Sequence, residues 1–147
     1  MPGIRMRAAA LSLAVGLSVA AAPAVGHHGR AGTYQGTEIV TQQGTVLRFD
    51  YRNPHVRIYF ETKDEQGNVT RWSGEMANIS QFVRAGWTKA RMEEQLQPGA
   101  VLTFTYTPST VPVASGDTRD SIVMRMINQD GQVVGLVRGN LEEALAP

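Results

Sequence analysis

The sequence of 147 residues contains no cysteine, and this absence excludes several kinds of site at once. Without a thiol the chain has no disulfide framework, no lipid anchor on cysteine and no thiolate nucleophile. The chain also lacks the G-x-S-x-G, H-E-x-x-H and glycine-rich phosphate-binding patterns that mark several enzyme classes. The candidate side chains for chemistry that the sequence then offers are three histidines, a few carboxylates and the two tryptophans.

The chain has no excess of charge of either sign, since its formal net charge is +1. Arg5 and Arg7 lie in a segment that we expect to be removed, which lowers the formal charge by two to −1. A near-neutral exported protein has no electrostatic attraction for nucleic acid, so nucleic acid is not an expected partner.

Long apolar runs are also missing, except near the N-terminus. There two arginines precede an apolar run from residue 8 to residue 22, and small residues follow it. This pattern is typical of a Sec-type signal peptide, and the run is shorter than the about 20 residues of a membrane span. We expect cleavage after Ala24 or Gly26, and a periplasmic or secreted protein with no membrane span. The predicted boundaries are 1–26 for the signal peptide, 27–137 for the domain and 138–147 for a C-terminal tail.

The stretch from Gly44 to Glu75 predicts three strands, because apolar and polar residues alternate along it. In the first of them Leu47, Phe49 and Tyr51 share one face, which we expect to be the inner one. A slip of one residue would turn every apolar side chain outward, so the alternation also predicts the register. The predicted pairs are Phe60 with Trp72, Val56 with Met76, Glu61 with Arg71, Arg57 with Glu75, and Asp50 with Arg57.

Two breaks divide this stretch into strands. Pro54 cannot donate a hydrogen bond to a ladder, so Asn53-Pro54 belongs to a bend, and His55 opens the next strand. Residues 64–68 are rich in residue types that tolerate a positive φ angle, which predicts the second turn.

After Met76 the hydrophobic period changes from two to about three and a half, which indicates a short helix. Asn78 followed by Gln81 has the form of a capping box, and Gly86 suits the position just past a helix end. Residues 88–96 add at most one or two further helical turns.

Residues 101–107 and 122–127 predict two more strands, and Asp130-Gly131 predicts a hairpin that lets residues 133–137 pair back. Three strands, a helix and then further strands is the order of an OB-type barrel, whose closure removes exposed edges. We therefore predict a mainly β protein, a small OB-like antiparallel barrel of five to six strands with one short helix between the third and fourth strands. The competing interpretation is an open sheet with a helix packed across one face.

The three histidines carry the most specific chemistry in the sequence. Cleavage after Gly26 makes His27 the N-terminus, so its amine and imidazole can chelate one metal ion, with His55 as a third nitrogen ligand. Cleavage after Ala24 puts His27 in third place, where the amine, two amides and the imidazole form a square-planar site. Both arrangements favour copper(II), which makes His27, His28 and His55 the candidate metal ligands. Alternatively, His27 and His28 bind metal ions only weakly and without a function, and His55 forms a hydrogen bond to a neighbouring carbonyl at the bend.

Two further groups of side chains allow more than one interpretation. His55 and Glu75 have the chemistry of an acid and base pair, but Arg57 is also within reach of Glu75, and a structural ion pair is favoured. Trp72 and Trp87 either line a ligand groove or belong to the core, as large aromatic residues more often do.

Several short motifs occur together in an order that marks a family. They are His27-His28 after the signal peptide, Gly44-Thr45-Val46, Asn53-Pro54-His55, Trp72 with Glu75, Gly86-Trp87, Pro98-Gly99 and Asp130-Gly131. With these motifs the chain resembles a family of small exported bacterial domains of unknown function, over nearly the whole mature chain. The sequence departs from the family pattern at Gly29, where serine is usual, and at Ala100, where aspartate usually follows Pro-Gly. The resemblance implies a small periplasmic β-barrel and implies no activity.

Two functions are carried forward from the sequence. The first is a non-enzymatic periplasmic binding module that holds a small ligand or a partner protein around Asn53 and His55, with Trp72, Glu75 and Trp87 nearby. The second is a copper-binding or copper-handling protein that uses the mature N-terminal histidines with His55. A metal-dependent enzyme would need an open metal position and a pocket, and is the least favoured interpretation.

Overall fold

The computed structural model describes residues 38–111 and 117–137, together with Tyr34. The predicted signal peptide and the predicted C-terminal tail lie outside the described residues. The elements are β1 (Val40–Asp50), β2 (Arg57–Lys63), β3 (Val69–Glu75), α1 (Ile79–Arg84), α2 (Lys89–Gln95), β4 (Val101–Pro108) and β5 (Thr118–Ile127). Within these ranges no helix has the length and apolar character that crossing a membrane requires.

The five strands close into a barrel in the order β1-β2-β3-β5-β4. This order confirms the predicted mainly β, OB-like barrel and excludes the open sheet. Four strand pairs are antiparallel, but β3 and β5 run parallel, which differs from the all-antiparallel prediction. A closed ring with an odd number of strands cannot alternate in direction throughout, so one parallel pair is required.

The predicted register of the first three strands is confirmed. Phe60 pairs with Trp72, Glu61 with Arg71, Arg57 with Glu75 and Asp50 with Arg57, and the amide of Met76 donates to the carbonyl of Val56 at 2.9 Å. The apolar and charged side chains of β2 and β3 therefore lie on the faces that the alternation predicted.

A β-bulge changes this pattern in β1. The register shifts between Val46 and Arg48, so Leu47 becomes an extra residue without a partner on β2. Val46 is buried instead and Leu47 is 36 % exposed, which makes the prediction of an inward Leu47 wrong. Phe49 and Tyr51 are partly buried against the core, as predicted.

Two helices connect β3 to β4, where one had been predicted. Asn78 accepts a hydrogen bond from the amide of Gln81, whose side chain accepts from the amide of Asn78, so the predicted capping box of α1 is confirmed. Gly86 follows α1 with a φ angle of 78°. The side chain of Thr88 caps the N-terminus of α2. The one or two helical turns predicted after Trp87 are therefore a separate helix.

The core fills the barrel and extends under the helices. Inner side chains of the strands join Phe82 of α1, Met92 of α2 and Val134 of the C-terminal segment in one buried cluster. Val133 makes a single bridge to Ile127, so the predicted last strand over residues 133–137 is reduced to an isolated pairing. The helices close the barrel at the end where β3 finishes and β2 begins.

Candidate binding surface

Arg57 lies at the centre of the outer face of the barrel. It is paired across the ladders with Asp50 of β1 and Glu75 of β3. Its guanidinium donates to the hydroxyl of Ser73 at 2.7 Å and lies 3.5 Å from a carboxylate oxygen of Asp120 and 3.8 Å from one of Glu75. Contacts to three neighbours on two strands fix the orientation of this side chain.

His55 and Glu75 form the shortest polar contact on this face. His55 lies in the connection that leads into β2, and Glu75 is the last residue of β3. The ring atom Nδ1 of His55 lies 2.5 Å from Oε1 of Glu75, and the two side chains are 29 % and 19 % exposed. A proton on Nδ1 donates to the carboxylate, which selects the tautomer that leaves Nε2 as the acceptor or metal-ligating nitrogen.

Glu75 therefore contacts both partners that the sequence offered, and His55 is the nearer of the two. We call His55, Arg57, Ser73, Glu75 and Asp120 the outer-face cluster.

Charges continue along β1 beside this cluster. Asp50 accepts a hydrogen bond from Arg52 at 2.9 Å and lies 3.7 Å from the guanidinium of Arg48. Arg48 in turn stacks over the ring of Tyr59, with its guanidinium carbon 3.7 Å from the ring centre. Cationic and anionic side chains thus alternate on the outer face and form ion pairs with one another.

Asn53 lies two residues before His55 along the chain, at the edge of the cluster. It is exposed, and the Asn53–Pro54 peptide bond is cis. In the described part of the protein its side chain forms no hydrogen bond.

Trp72 does not share a surface with His55 and Glu75, contrary to the sequence-based grouping. It is only 5 % exposed, its ring packs inside the barrel, and its Nε1 donates to the hydroxyl of Thr62 at 2.9 Å. Residues 72 and 75 are an odd number apart on one strand, so their side chains point to opposite faces. Trp72 is a core residue.

Trp87 is a packing residue at the helical end of the barrel. Its side chain is partly buried against the core, and its carbonyl accepts a hydrogen bond from the hydroxyl of Tyr51 at 3.1 Å. The guanidinium of Arg91 lies 4.0 Å from the ring centre. One face of the indole is thereby covered by a side chain of α2.

The predicted copper ligands are only partly placed. His27 and His28 lie outside the described residues, so a joint site with His55 stays a prediction. Among residues 38–111 and 117–137, no three His, Asp or Glu side chains come together as a metal-binding group. The pair of His55 and Glu75 brings together two groups of the kind that bind metals.

Sequence reasoning missed Ser73 and Asp120. Ser73 carries no motif, and it reaches Arg57 because both point outward from paired strands. Asp120 joins the cluster through the parallel pairing of β5 with β3, where it lies opposite Ser73. A prediction of these two residues requires the order of the strands in the closed barrel, and no local sequence pattern gives that order.

Comparison with protein families gives a match over most of the chain. Residues 14–116 match the profile of a family of unknown function, DUF6152. The chain belongs to this family. Four members of the outer-face cluster lie inside the matched range of this DUF6152 protein, whereas Asp120 and the whole of β5 lie beyond it. A comparison with curated proteins returned no match.

Proposed function

We propose that this DUF6152 member is an exported, non-enzymatic binding module that holds a small polar ligand or a partner protein on the outer-face cluster. The observation that carries the proposal is the contact network of the cluster, with His55 at 2.5 Å from Glu75 and Arg57 at 2.7 Å from Ser73. Polar groups that are oriented before binding lose little side-chain entropy when a ligand arrives, so their contacts contribute more to affinity.

The position of the cluster on the fold supports the same proposal. OB-type barrels bind ligands on the face of their second and third strands, between the first connection and the last. His55 lies in the β1–β2 connection, Arg57 on β2, Glu75 on β3, and Asp120 near the start of β5. This support is an analogy of fold, and the chemistry of the cluster itself has to supply the ligand class.

The charges of this face favour a ligand that offers both donors and acceptors. A polyanion would meet as many carboxylates as guanidinium groups on this face, so a polyanion is not the proposed ligand. The charged groups are Arg48, Arg52 and Arg57 against Asp50, Glu75 and Asp120.

Export is part of the proposal and rests on the N-terminal pattern. The basic start, the short apolar run and the small residues that end it are typical of a signal peptide. We therefore propose the periplasm, or secretion, as the location where binding occurs.

The test is native mass spectrometry of untagged protein recovered from the periplasm after natural processing. We expect a co-purifying small molecule or protein that is lost in His55→Ala and in Glu75→Gln. Glu93→Gln is the matched control, because it removes an exposed ion pair with Lys89 on α2, away from the cluster. Recovery without any bound species, or a bound species retained by both cluster variants, would contradict the proposal.

Thermal unfolding of the same variants separates binding from a structural role. A residue that serves binding is expected to leave stability nearly unchanged when it is replaced, since its partly exposed polar contacts contribute about 1 kcal/mol or less. A large loss of melting temperature in metal-free His55→Ala would assign His55 to the structure of the bend.

Copper handling is the second candidate, and one contact favours it. Metal-binding histidines usually donate their other ring N–H to a carboxylate or carbonyl, which orients the ring and raises its basicity. His55 has this relation to Glu75. In this alternative, Nε2 of His55 joins the nitrogen ligands of the mature N-terminus around copper(II).

Titration of the same protein with copper(II) tests the alternative. One tightly held copper ion, lost in His27→Ala and in His55→Ala and weakened about 10- to 100-fold in Glu75→Gln, would favour copper handling. Only loose binding that none of these variants changes would reject it.

A further inference from the structure

A groove lies between the starting ends of β3 and β5, beside the outer-face cluster but lined by other residues. Its residue Arg71 precedes the cluster residue Ser73 by two positions, or about 7 Å along an extended strand, and Arg119 directly precedes Asp120. The groove has a volume of about 500 Å³, which is within the range of small-molecule sites. Its lining residues are Val69, Thr70, Arg71, Asp117 and Arg119.

Arg119 places a guanidinium group in this groove. The aromatic ring of Trp72 holds the guanidinium in position. Its guanidinium carbon lies 5.0 Å from the ring centre of Trp72, the residue opposite it in the β3–β5 ladder. Over residues 38–111 and 117–137, Arg119 forms no ion pair. An interaction of this kind orients the guanidinium without neutralising its charge.

Arg71 supplies a second guanidinium from the neighbouring strand. Its side chain is 56 % exposed, and its Nε lies 4.0 Å from a carboxylate oxygen of Glu61, at the outer limit of an ion pair. Arg119 pairs with Trp72, the neighbour of Arg71 on β3, so Arg71 and Arg119 lie on opposite faces of the sheet. The planar fork of Arg119 by itself matches the two oxygens of a carboxylate, and Arg71 adds positive charge at the edge of the groove.

Asp117 narrows the class of ligand. With one carboxylate and two guanidinium groups, the lining carries a formal charge of +1, so a polyanion gains little from it. A molecule that carries an ammonium group beside its carboxylate complements both signs. Thr70 adds a hydroxyl group, and Val69, which is 50 % exposed, adds an apolar wall.

We infer that this groove binds a small zwitterionic molecule such as an amino acid or a short peptide. The guanidinium fork of Arg119 takes its carboxylate, Asp117 takes its ammonium group, and Arg71 adds positive charge at the edge of the groove. The site shares no residue with the outer-face cluster, so it goes beyond the proposed function and stands or falls separately.

The two tryptophans of the chain provide the measurement. In a ¹H–¹⁵N correlation spectrum of the purified protein, the indole Nε1–H groups of Trp72 and Trp87 give two resonances. Glycine at low ionic strength is expected to shift the Trp72 resonance saturably, with a Kd of about 1 to 10 mM, and to leave that of Trp87 in place. Acetate, which lacks the ammonium group, is expected to bind several-fold more weakly.

Variants assign the two roles. Arg119→Lys keeps the charge but removes the fork, and is expected to weaken glycine binding at least several-fold. Asp117→Asn is expected to abolish the preference for glycine over acetate. Arg84→Gln, at the exposed end of α1, is the matched control and should bind as the parent does. The unliganded spectrum and the melting temperature of each variant show whether it is folded.

The absence of a saturable Trp72 shift with glycine, or equal binding by folded Arg119→Lys, would overturn the inference. Inorganic phosphate that binds more tightly than glycine would also overturn it, because the groove would then be a simple anion site. Glu75→Gln should retain glycine binding, so a failure of the proposed function leaves this result unchanged.

Discussion

At the scale of single residues, the barrel interior is held by stacked aromatic rings. Phe60 lies against Phe104 with ring centres 4.0 Å apart and nearly parallel planes, and it meets the edge of Tyr106 at 5.4 Å. Trp72 packs beside the same rings, 4.8 Å from Tyr106. Such contacts add to the free energy that comes from burying large apolar side chains.

Replacement of Phe60 by alanine is expected to lower the free energy of unfolding by about 3 to 5 kcal/mol, because a large cavity remains in the core. Urea denaturation of both proteins measures this change in the free energy of unfolding. Val83→Ala on the exposed face of α1 is the control, with an expected change within about 0.5 kcal/mol, since Val83 is 53 % exposed. A loss below about 1 kcal/mol for Phe60→Ala would show that the stacked cluster is not the centre of the core.

The raised pKa of Tyr106 predicts how the free energy of unfolding depends on pH. Burial raises the pKa of its hydroxyl above the ordinary 10.0, although a hydrogen bond from Gln42 opposes the shift. Above about pH 10 the unfolded chain loses this proton while the folded chain keeps it, so stability falls as the pH rises. Urea unfolding between about pH 9 and pH 11 should show this fall, and Tyr106→Phe should show a smaller slope. Equal slopes would contradict the assignment.

At the scale of elements, the helix start was readable because its chemistry is local. Asn78 and Gln81 satisfy each other's backbone amides three residues apart, without help from the rest of the fold. The bulge at Leu47 was not readable in this way. It depends on how β1 pairs with β2, and on the carbonyl of Ala100 that accepts from the amide of Val46 at 2.8 Å.

Replacement of Asn78 by alanine is expected to lower stability by about 1 kcal/mol, since the amide of Gln81 loses its acceptor. Asn78→Asp should restore most of this loss, because a carboxylate accepts the same hydrogen bond and favours a helix N-terminus. Thermal unfolding monitored by circular dichroism measures both. Equal melting temperatures for the parent and Asn78→Ala would show that the cap contributes nothing.

At the scale of the whole molecule, β5 completes the barrel. It pairs with β3 on one side and β4 on the other, and it brings Val123 and Met126 into the core. The family match ends at residue 116, before this strand begins. The folded unit therefore extends beyond the matched range.

A chain that ends at residue 116 is expected to remain unfolded, because β3 and β4 would both keep an open edge and the core would lose the side chains of β5. A chain that ends at Val137 keeps every described core residue and is expected to fold. Far-ultraviolet circular dichroism and amide exchange compare the two. A cooperative unfolding transition in the shorter chain would contradict the requirement for β5.

The candidate surface shows how far sequence reasoning reached. The pairing of Arg57 with Glu75 follows from alternation alone. The contact of His55 with Glu75 is the alternative that the sequence offers but does not favour, and in the structure it is the shorter of the two. The grouping of Trp72 with them is the groove alternative of the sequence analysis, whereas alternation places Trp72 on the inner face and favours the core. Asp120 was missed because 63 positions separate it from Arg57 along the chain.

Local patterns in the sequence determined the strands, the register of β2 with β3, the capped helix and the OB-like order, since each depends on side chains a few residues apart. Tertiary structure alone decided the parallel β3–β5 pair and the bulge in β1. It also brought together the outer-face cluster and the groove between β3 and β5. The physical reason is closure: a ring of five strands brings together segments that the chain keeps far apart, and local periodicity carries no record of which segments meet.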